Sequence, residues 1–138
     1  MTVLVDTNVI LDYIHNREPF AQAASDCLEY LFANKAKVWL TASTITDIYY
    51  VTHRAWKDHA AAKSVIARLL NGFQIASVDK ADCLNALDID MSDYEDALVA
   101  TCAKRVKNEY IITRNTKDYL SSPVPAITPD DFLAEFNP

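Results

Sequence analysis

The stretch Met1-Thr2-Val3-Leu4-Val5-Asp6-Thr7-Asn8 opens the chain and decides its fold class. Val3-Leu4-Val5 is an apolar, partly β-branched run with no polar interruption, the pattern of a strand buried on both faces of a parallel sheet. Asp6 ends the run and stands where open α/β sheets place their ligand crevices, at the carboxyl end of a strand. Val9, Ile10, Leu11, Tyr13 and Ile14 follow at helix-compatible spacing, so Asp6 lies in a strand-to-helix turn. An aspartate there either caps the helix that follows or belongs to a site, and the stretch alone leaves both readings open.

Outward from this stretch the same alternation recurs. A short helix is expected over 8–15 and an amphipathic helix over 20–33, with Pro19 at its start. Val38-Trp39-Leu40 reads as the second strand, and a helix carrying Asp47 follows, with Ser43 or Thr44 as its cap. Residues 57–70 form the next helix, stopped by Gly72. A third strand falls in 73–78, and Asp79 caps a short helix ending near Leu87. A helix spans 94–106 with Asp93 as its cap, a fourth strand 110–113, a turn 114–118 and a short edge strand 123–127. A last helix covers 132–136. Strands alternating with helices predict an α/β sandwich around a mainly parallel sheet with right-handed crossovers.

A chain of 138 residues suits one domain, 1–138, around one core. No apolar run approaches the ~20 residues that span a bilayer, and the N-terminus lacks a signal-peptide pattern, so a cytoplasmic protein is expected. Cys27, Cys83 and Cys102 are widely spaced, which supports neither a zinc site nor a disulfide framework. With Gly72 as its only glycine the chain has no glycine-rich phosphate loop. The net charge of −6 is opposite to that of a basic nucleic-acid binder. Either the partner is not nucleic acid, or acidic residues gather in a site that a metal neutralises.

The placement of acidic and amide residues supports the second option. Asp6 ends the first strand, Asp47 lies early in the helix after the second, Asp96 lies in the first turn of the helix before the fourth, and Asn115 and Asp118 follow the fourth. Carboxyl ends of parallel strands and amino ends of neighbouring helices meet on one edge of a sheet. Carboxylates gathered there raise one another's pKa, a repulsion that a divalent cation removes. Carboxylate, amide and water oxygens suit Mg²⁺ or Mn²⁺ rather than zinc. Two such ions serve phosphodiester hydrolysis. Ala97 and Ala100 after Asp96 let that helix approach the sheet closely, whereas Glu95 is expected to point away into solvent.

Five stretches in order, Asp6-Thr7-Asn8-Val9-Ile10-Leu11-Asp12, Arg17-Glu18-Pro19-Phe20, Thr46-Asp47-Ile48-Tyr49-Tyr50, Tyr94-Glu95-Asp96-Ala97-Leu98 and Ile112-Thr113-Arg114-Asn115-Thr116-Lys117-Asp118-Tyr119, resemble the PIN domain family. The closest likeness is to its bacterial single-domain members of the VapC-like toxin type. The resemblance implies a three-layer α/β/α sandwich with a five-stranded sheet in order 3-2-1-4-5. It also implies a Mg²⁺- or Mn²⁺-dependent endoribonuclease that cleaves single-stranded RNA with activated water, as the toxin of a toxin–antitoxin pair. An antitoxin protein and a second copy of the chain are then the candidate partners, with no membrane.

Carried over residue by residue, the resemblance makes Asp6, Asp47, Asp96 and Asp118 catalytic. It places the metal on Asp6, Asp96, Asp47 and Asn115. Two positions depart from the family pattern: Asp47 is one methylene shorter than the usual glutamate, and Asn115 is neutral. These departures favour an alternative reading, a PIN-like module that binds RNA or protein and cleaves poorly. A phosphatase of the haloacid dehalogenase type wants an aspartate where Asn8 stands. Asn8, Thr113, Arg114, Lys117 and Arg17 are candidates for contacting RNA phosphates, against plain structural or surface roles. Asp12, on the same helix face as Asn8, reads as structural. Tyr49 and Tyr50 read as core or interface aromatics, and His15, His53 and His59 show no ligand spacing.

Overall fold

The computed structural model describes residues 1–138. Its strands are β1 (Thr2–Val5), β2 (Lys37–Thr41), β3 (Gln74–Ala76), β4 (Tyr110–Ile112) and β5 (Ala126–Ile127). They form one parallel sheet in the order β3-β2-β1-β4-β5. The helices are α1 (Thr7–Ile14), α2 (Ala21–Ala33), α3 (Ala42–Trp56), α4 (His59–Gly72), α5 (Lys80–Leu87), α6 (Tyr94–Arg105) and α7 (Pro129–Phe136), with a 3₁₀ turn over Thr116–Tyr119. The expected strand order and α/β class are observed. No helix is long and apolar enough to cross a membrane.

β1 is the central strand, and its alternation builds two cores. Val3 and Val5 face one side, where Val9, Ile10, Leu28, Leu31, Ile48, Leu69 and Phe132 from α1, α2, α3, α4 and α7 pack on them. Leu4 faces the other side and packs with Val99, Ala100 and Ala103 of α6, with Ile111 and with Tyr119. Successive side chains of a strand point to opposite faces, so three residues serve two layers. Ala97, Ala100 and Ala103 are all buried on α6, and these small side chains let the helix lie close to the sheet.

Helix starts follow local capping chemistry. Asp6, Thr41, Asp58, Asp79, Asp93 and Thr128 each place a side-chain oxygen on a free backbone N–H at the start of a helix. The cap of α3 is Thr41, not Ser43 or Thr44: the helix begins directly at the strand end, and Ser43 and Thr44 already lie inside its first turn. Pro19 precedes α2 in a turn rather than occupying its first helical position, which is Ala21. Gly72 ends α4 without a positive φ, so it is not a left-handed stop.

Candidate active site

β1 delivers Asp6 to the carboxyl edge of the sheet, where the backbone N–H of Asp6 donates to the Ile112 carbonyl of β4. Its side chain does both things that the sequence left open. Oδ1 accepts from the N–H of Thr7 at 2.8 Å and caps α1. Oδ2 accepts from the Thr113 hydroxyl at 2.9 Å and lies 3.2 Å from the Tyr119 hydroxyl. Asp6 is only 8% exposed, and that burial pushes its carboxyl above the ordinary range against the pull of these donors.

Asp96 enters from α6. Asp93 caps that helix by accepting from the Asp96 N–H at 3.0 Å, which orients the first turn. Asp96 Oδ1 lies 3.2 Å from the same Tyr119 hydroxyl that contacts Asp6. Its carboxyl is pushed up to about 6, first by burial, then by the charges of Asp6 and Asp93 and, more weakly, of Asp118. Thus two carboxylates 90 positions apart in the chain meet under one phenol.

Around this pair, Thr113 is a hub. It is fully buried, accepts from Asn8 Nδ2 at 3.3 Å and from the Asn115 N–H at 3.1 Å, and donates to Asp6. Asn8 in turn accepts from the Arg114 N–H at 3.3 Å. Asn8 and Thr113 therefore hold the carboxylate and the turn after β4, and both are spent on protein partners. A second hydroxyl chain, Thr7 to Thr44 at 2.9 Å and Thr44 to Thr41 at 3.1 Å, ties the Asp6 turn to the start of α3, the helix that carries Asp47.

The remaining candidates are distributed as follows. Asp47 is half-buried, and its charge, together with those of Asp93 and Asp6, adds to partial burial in raising the Glu95 carboxyl. Glu95 is exposed, as expected, yet it lies near enough to the acidic edge for these charges to reach it. It sits in the first turn of α6 next to Asp96. Asn115 and Asp118 are exposed at the rim, as is Lys117. Arg17 lies past the end of α1 opposite Asp6, beside His15.

Arg114 does not present a free cation. Its guanidinium is paired with Asp12, which is 1% exposed, and lies 4.1 Å from the centre of the Phe20 ring. The Asp12–Arg114 pair clamps α1 to the turn after β4.

Two side chains that sequence reasoning did not place in the site are Glu95 and Tyr119. Glu95 had a signal, its adjacency to Asp96. Tyr119 closes the last of the family-like stretches, but nothing local shows that a tyrosine at the end of this turn will lie 3% exposed beneath Asp6.

The donor set can be tested against a divalent cation. No three acidic, histidine or cysteine side chains close into a ready-made cage. Mg²⁺ is commonly held by one or two carboxylates while retaining several waters. A pair of oxygen donors with raised pKa, rimmed by further carboxylates and free of nitrogen or sulfur ligands, fits such an ion.

The PIN domain family matches residues 2–117. The chain belongs to the PIN domain family. Among curated proteins it is similar to "Ribonuclease VapC1" of Aquifex aeolicus (strain VF5), 28% identical over 140 residues that cover 98% of this chain and 95% of the relative. Among solved structures, the FitAB complex bound to an IR36 DNA fragment contains a chain with a TM-score of 0.73 and 20% identity, covering 92% of this PIN chain and 94% of its own length. VapBC2 from Rickettsia felis, bound to a promoter DNA fragment, gives a TM-score of 0.72 at 15% identity, covering 93% and 98%. VapC20 of Mycobacterium tuberculosis, described as a sarcin-ricin loop cleaving toxin, gives 0.61 at 16% identity, covering 79% and 86%. These structural likenesses confirm the PIN fold.

Proposed function

We propose that this PIN domain, acting as a single unit over 1–138, is a divalent-metal-dependent endoribonuclease of single-stranded RNA. We assign it the cytoplasmic toxin role of a toxin–antitoxin pair. The observation that carries the reading is the convergence of Asp6 and Asp96, from β1 and α6, on one hydroxyl at the carboxyl edge of the sheet. The similarity to a VapC ribonuclease over nearly the whole chain supports the substrate class.

In this reading Asp6 and Asp96 hold Mg²⁺ or Mn²⁺, with Asp47, Asn115 and Asp118 completing the rim to which Glu95 now belongs. The cation supplies activation of a water and stabilisation of the leaving oxygen. Thr113 and Asn8 keep the Asp6 carboxylate oriented, and Asp93 sets the approach of Asp96. Lys117 at the open edge takes RNA phosphate. Arg114 acts by fixing the turn that positions Asn115.

A protein partner is supported by the solved relatives, among which stands a toxin–antitoxin complex from Klebsiella pneumoniae. The PIN chain offers one mainly apolar groove of about 610 Å³, lined by Tyr13, Leu28, Phe32, Trp56, Leu69 and Phe73. It suits the apolar face of an antitoxin segment.

Asp6→Asn and Asp96→Asn test the nuclease reading. Each variant is expected to keep its circular dichroism and lose cleavage of a single-stranded RNA in Mn²⁺, with a drop in rate of roughly 100-fold or more, the scale of losing preorganised charge stabilisation. Cleavage by either variant at the wild-type rate would remove that carboxylate from the site. A wild-type chain that binds RNA without cutting it would favour a binding module instead.

A further inference from the structure

The hydroxyl between Asp6 and Asp96 has a feature that a merely space-filling tyrosine would lack. A buried tyrosine O–H normally finds one partner, at 2.7–2.8 Å when the bond is ordinary. Here it lies 3.2 Å from Asp6 Oδ2 and 3.2 Å from Asp96 Oδ1, equidistant and slightly long to each. A phenol carries one proton, so it cannot make a full bond to both carboxylates at once. Its ring is locked from behind by the core formed with Leu4, Val99, Ala100, Ile111 and Val124. The oxygen is therefore a fixed point, and the carboxylates are arranged about it.

The two carboxylates depend on it unequally. Asp6 has Thr7 and Thr113 as further donors, whereas Asp96 has no other hydrogen-bond donor. A phenol is protonated at neutral pH, so the Tyr119 hydroxyl faces both carboxylates as a donor. Without the hydroxyl, no hydrogen-bond donor would be shared between the pair, and nothing at that point would offset their mutual repulsion.

We propose that Tyr119 is a positioning residue whose hydroxyl sets the spacing of the Asp6 and Asp96 carboxylates and thereby the affinity of the pair for a divalent cation. This rests on the reading of Asp6 and Asp96 as the cation's ligands. Each carboxylate keeps lone pairs that the phenol does not occupy, so hydroxyl and cation are held together rather than in competition. Removing an outer hydrogen-bond partner of a metal ligand typically costs 10- to 100-fold in affinity.

The test is Tyr119→Phe, which removes one oxygen and keeps the ring. Binding of Mn²⁺ is followed by electron paramagnetic resonance of the free ion, and the metal-free thermal midpoint is measured beside it. The expected result is a Kd raised by roughly 10- to 100-fold with unchanged metal-free circular dichroism. A Kd within about twofold of wild type overturns the proposal, including the case in which the metal-free midpoint falls, since that is what a purely structural tyrosine would do.

A wild-type chain that binds no Mn²⁺ up to on the order of 10 mM overturns the cation reading and this proposal with it. That failure is distinct from equal binding by both proteins. Should Tyr119→Phe not fold, 3-fluorotyrosine placed at position 119 keeps the hydroxyl and reports on it. Its ¹⁹F resonance is expected to move on titration with Mg²⁺, and a resonance unmoved at saturating Mg²⁺ overturns the proposal.

Discussion

Asp96 shows how a single residue couples site and stability. Its carboxyl lies at about 6 in the fold against an ordinary 3.8. Between those values the folded chain holds a proton that the unfolded chain releases. The stability from this group is present below pH 3.8 and is lost as pH rises through about 6. Asp6 and Glu95 are shifted in the same direction and add to the slope. The metal-free thermal midpoint is therefore expected to fall as pH is raised from about 4 to about 7, across the window between the two Asp96 values. Asp96→Asn should flatten that slope, and an unchanged slope in calorimetry would contradict it. Asp82 and His15 have the opposite sign: the bond of Asp82 to Arg105 holds it low and acts below this window, whereas burial lowers His15 and opposes the slope within it, against three raised carboxyls. The Asp12–Arg114 pair is a different case. Arg114→Met leaves Asp12 buried with no counter-charge, which is expected to cost about 3 kcal/mol, the low end for a broken buried pair because Arg114 is partly exposed. Urea unfolding measures this, and a loss under ~1 kcal/mol would class the pair as a surface bridge.

At the scale of elements, the helix ends are unusual. Asn16, Lys35 and Lys107 have φ of 50°, 57° and 61°, and none is glycine. Each stands one residue past a helix cap, and the next residue's N–H reaches back to a carbonyl five positions earlier: Arg17 to Asp12, Ala36 to Leu31, Asn108 to Ala103. These are Schellman closures with a side chain in the left-handed position. A non-glycine residue there costs roughly 1–2 kcal/mol, offset in part by the ~0.5–1 kcal/mol of extra chain entropy that glycine would lose on folding. Lys35→Gly is thus expected to raise stability by about 0.5–1 kcal/mol, seen as a higher denaturant midpoint with an unchanged slope. Lys35 and Lys107 carry no turn signal in the sequence, whereas Asn16 does, since asparagine tolerates the left-handed region. Gly72, the one glycine and the obvious stop, needs no positive φ.

For the whole molecule, the sheet order brings β1 and β4 side by side, and with them the Asp6 turn and the turn that carries Thr113 and Tyr119. A cation that binds only this assembled edge stabilises the fold by RT ln(1 + [L]/Kd), about 2.7 kcal/mol at a hundredfold excess over Kd. For a chain of this size the thermal midpoint is expected to rise by roughly 5–10 °C in Mn²⁺, less in Mg²⁺, and little in NaCl of matched ionic strength. Asp6→Asn and Asp96→Asn should each shrink the rise. Equal midpoints in Mn²⁺ and NaCl would leave the acidic edge without a cation.

The sequence by itself determined the alternation of strands and helices, the burial of Val3-Leu4-Val5, and the placement of Asp6, Asp47 and Asp96 near one edge. Each of these depends on short-range patterns: apolar periodicity, capping residues and strand ends. The tertiary structure decided which of those side chains meet. Arg114 reads locally as a free cation beside a site, yet the packing of α1 against the turn after β4 gives it to Asp12. Glu95 reads as solvated and is exposed, yet the approach of α6 brings it within reach of the charge of Asp47. Tyr119 stands 113 positions from Asp6, and only the crossover that lays its 3₁₀ turn beneath β1 puts its hydroxyl between two carboxylates. Such contacts arise from many weak packing interactions summed over both cores, and no local window of the chain contains that sum.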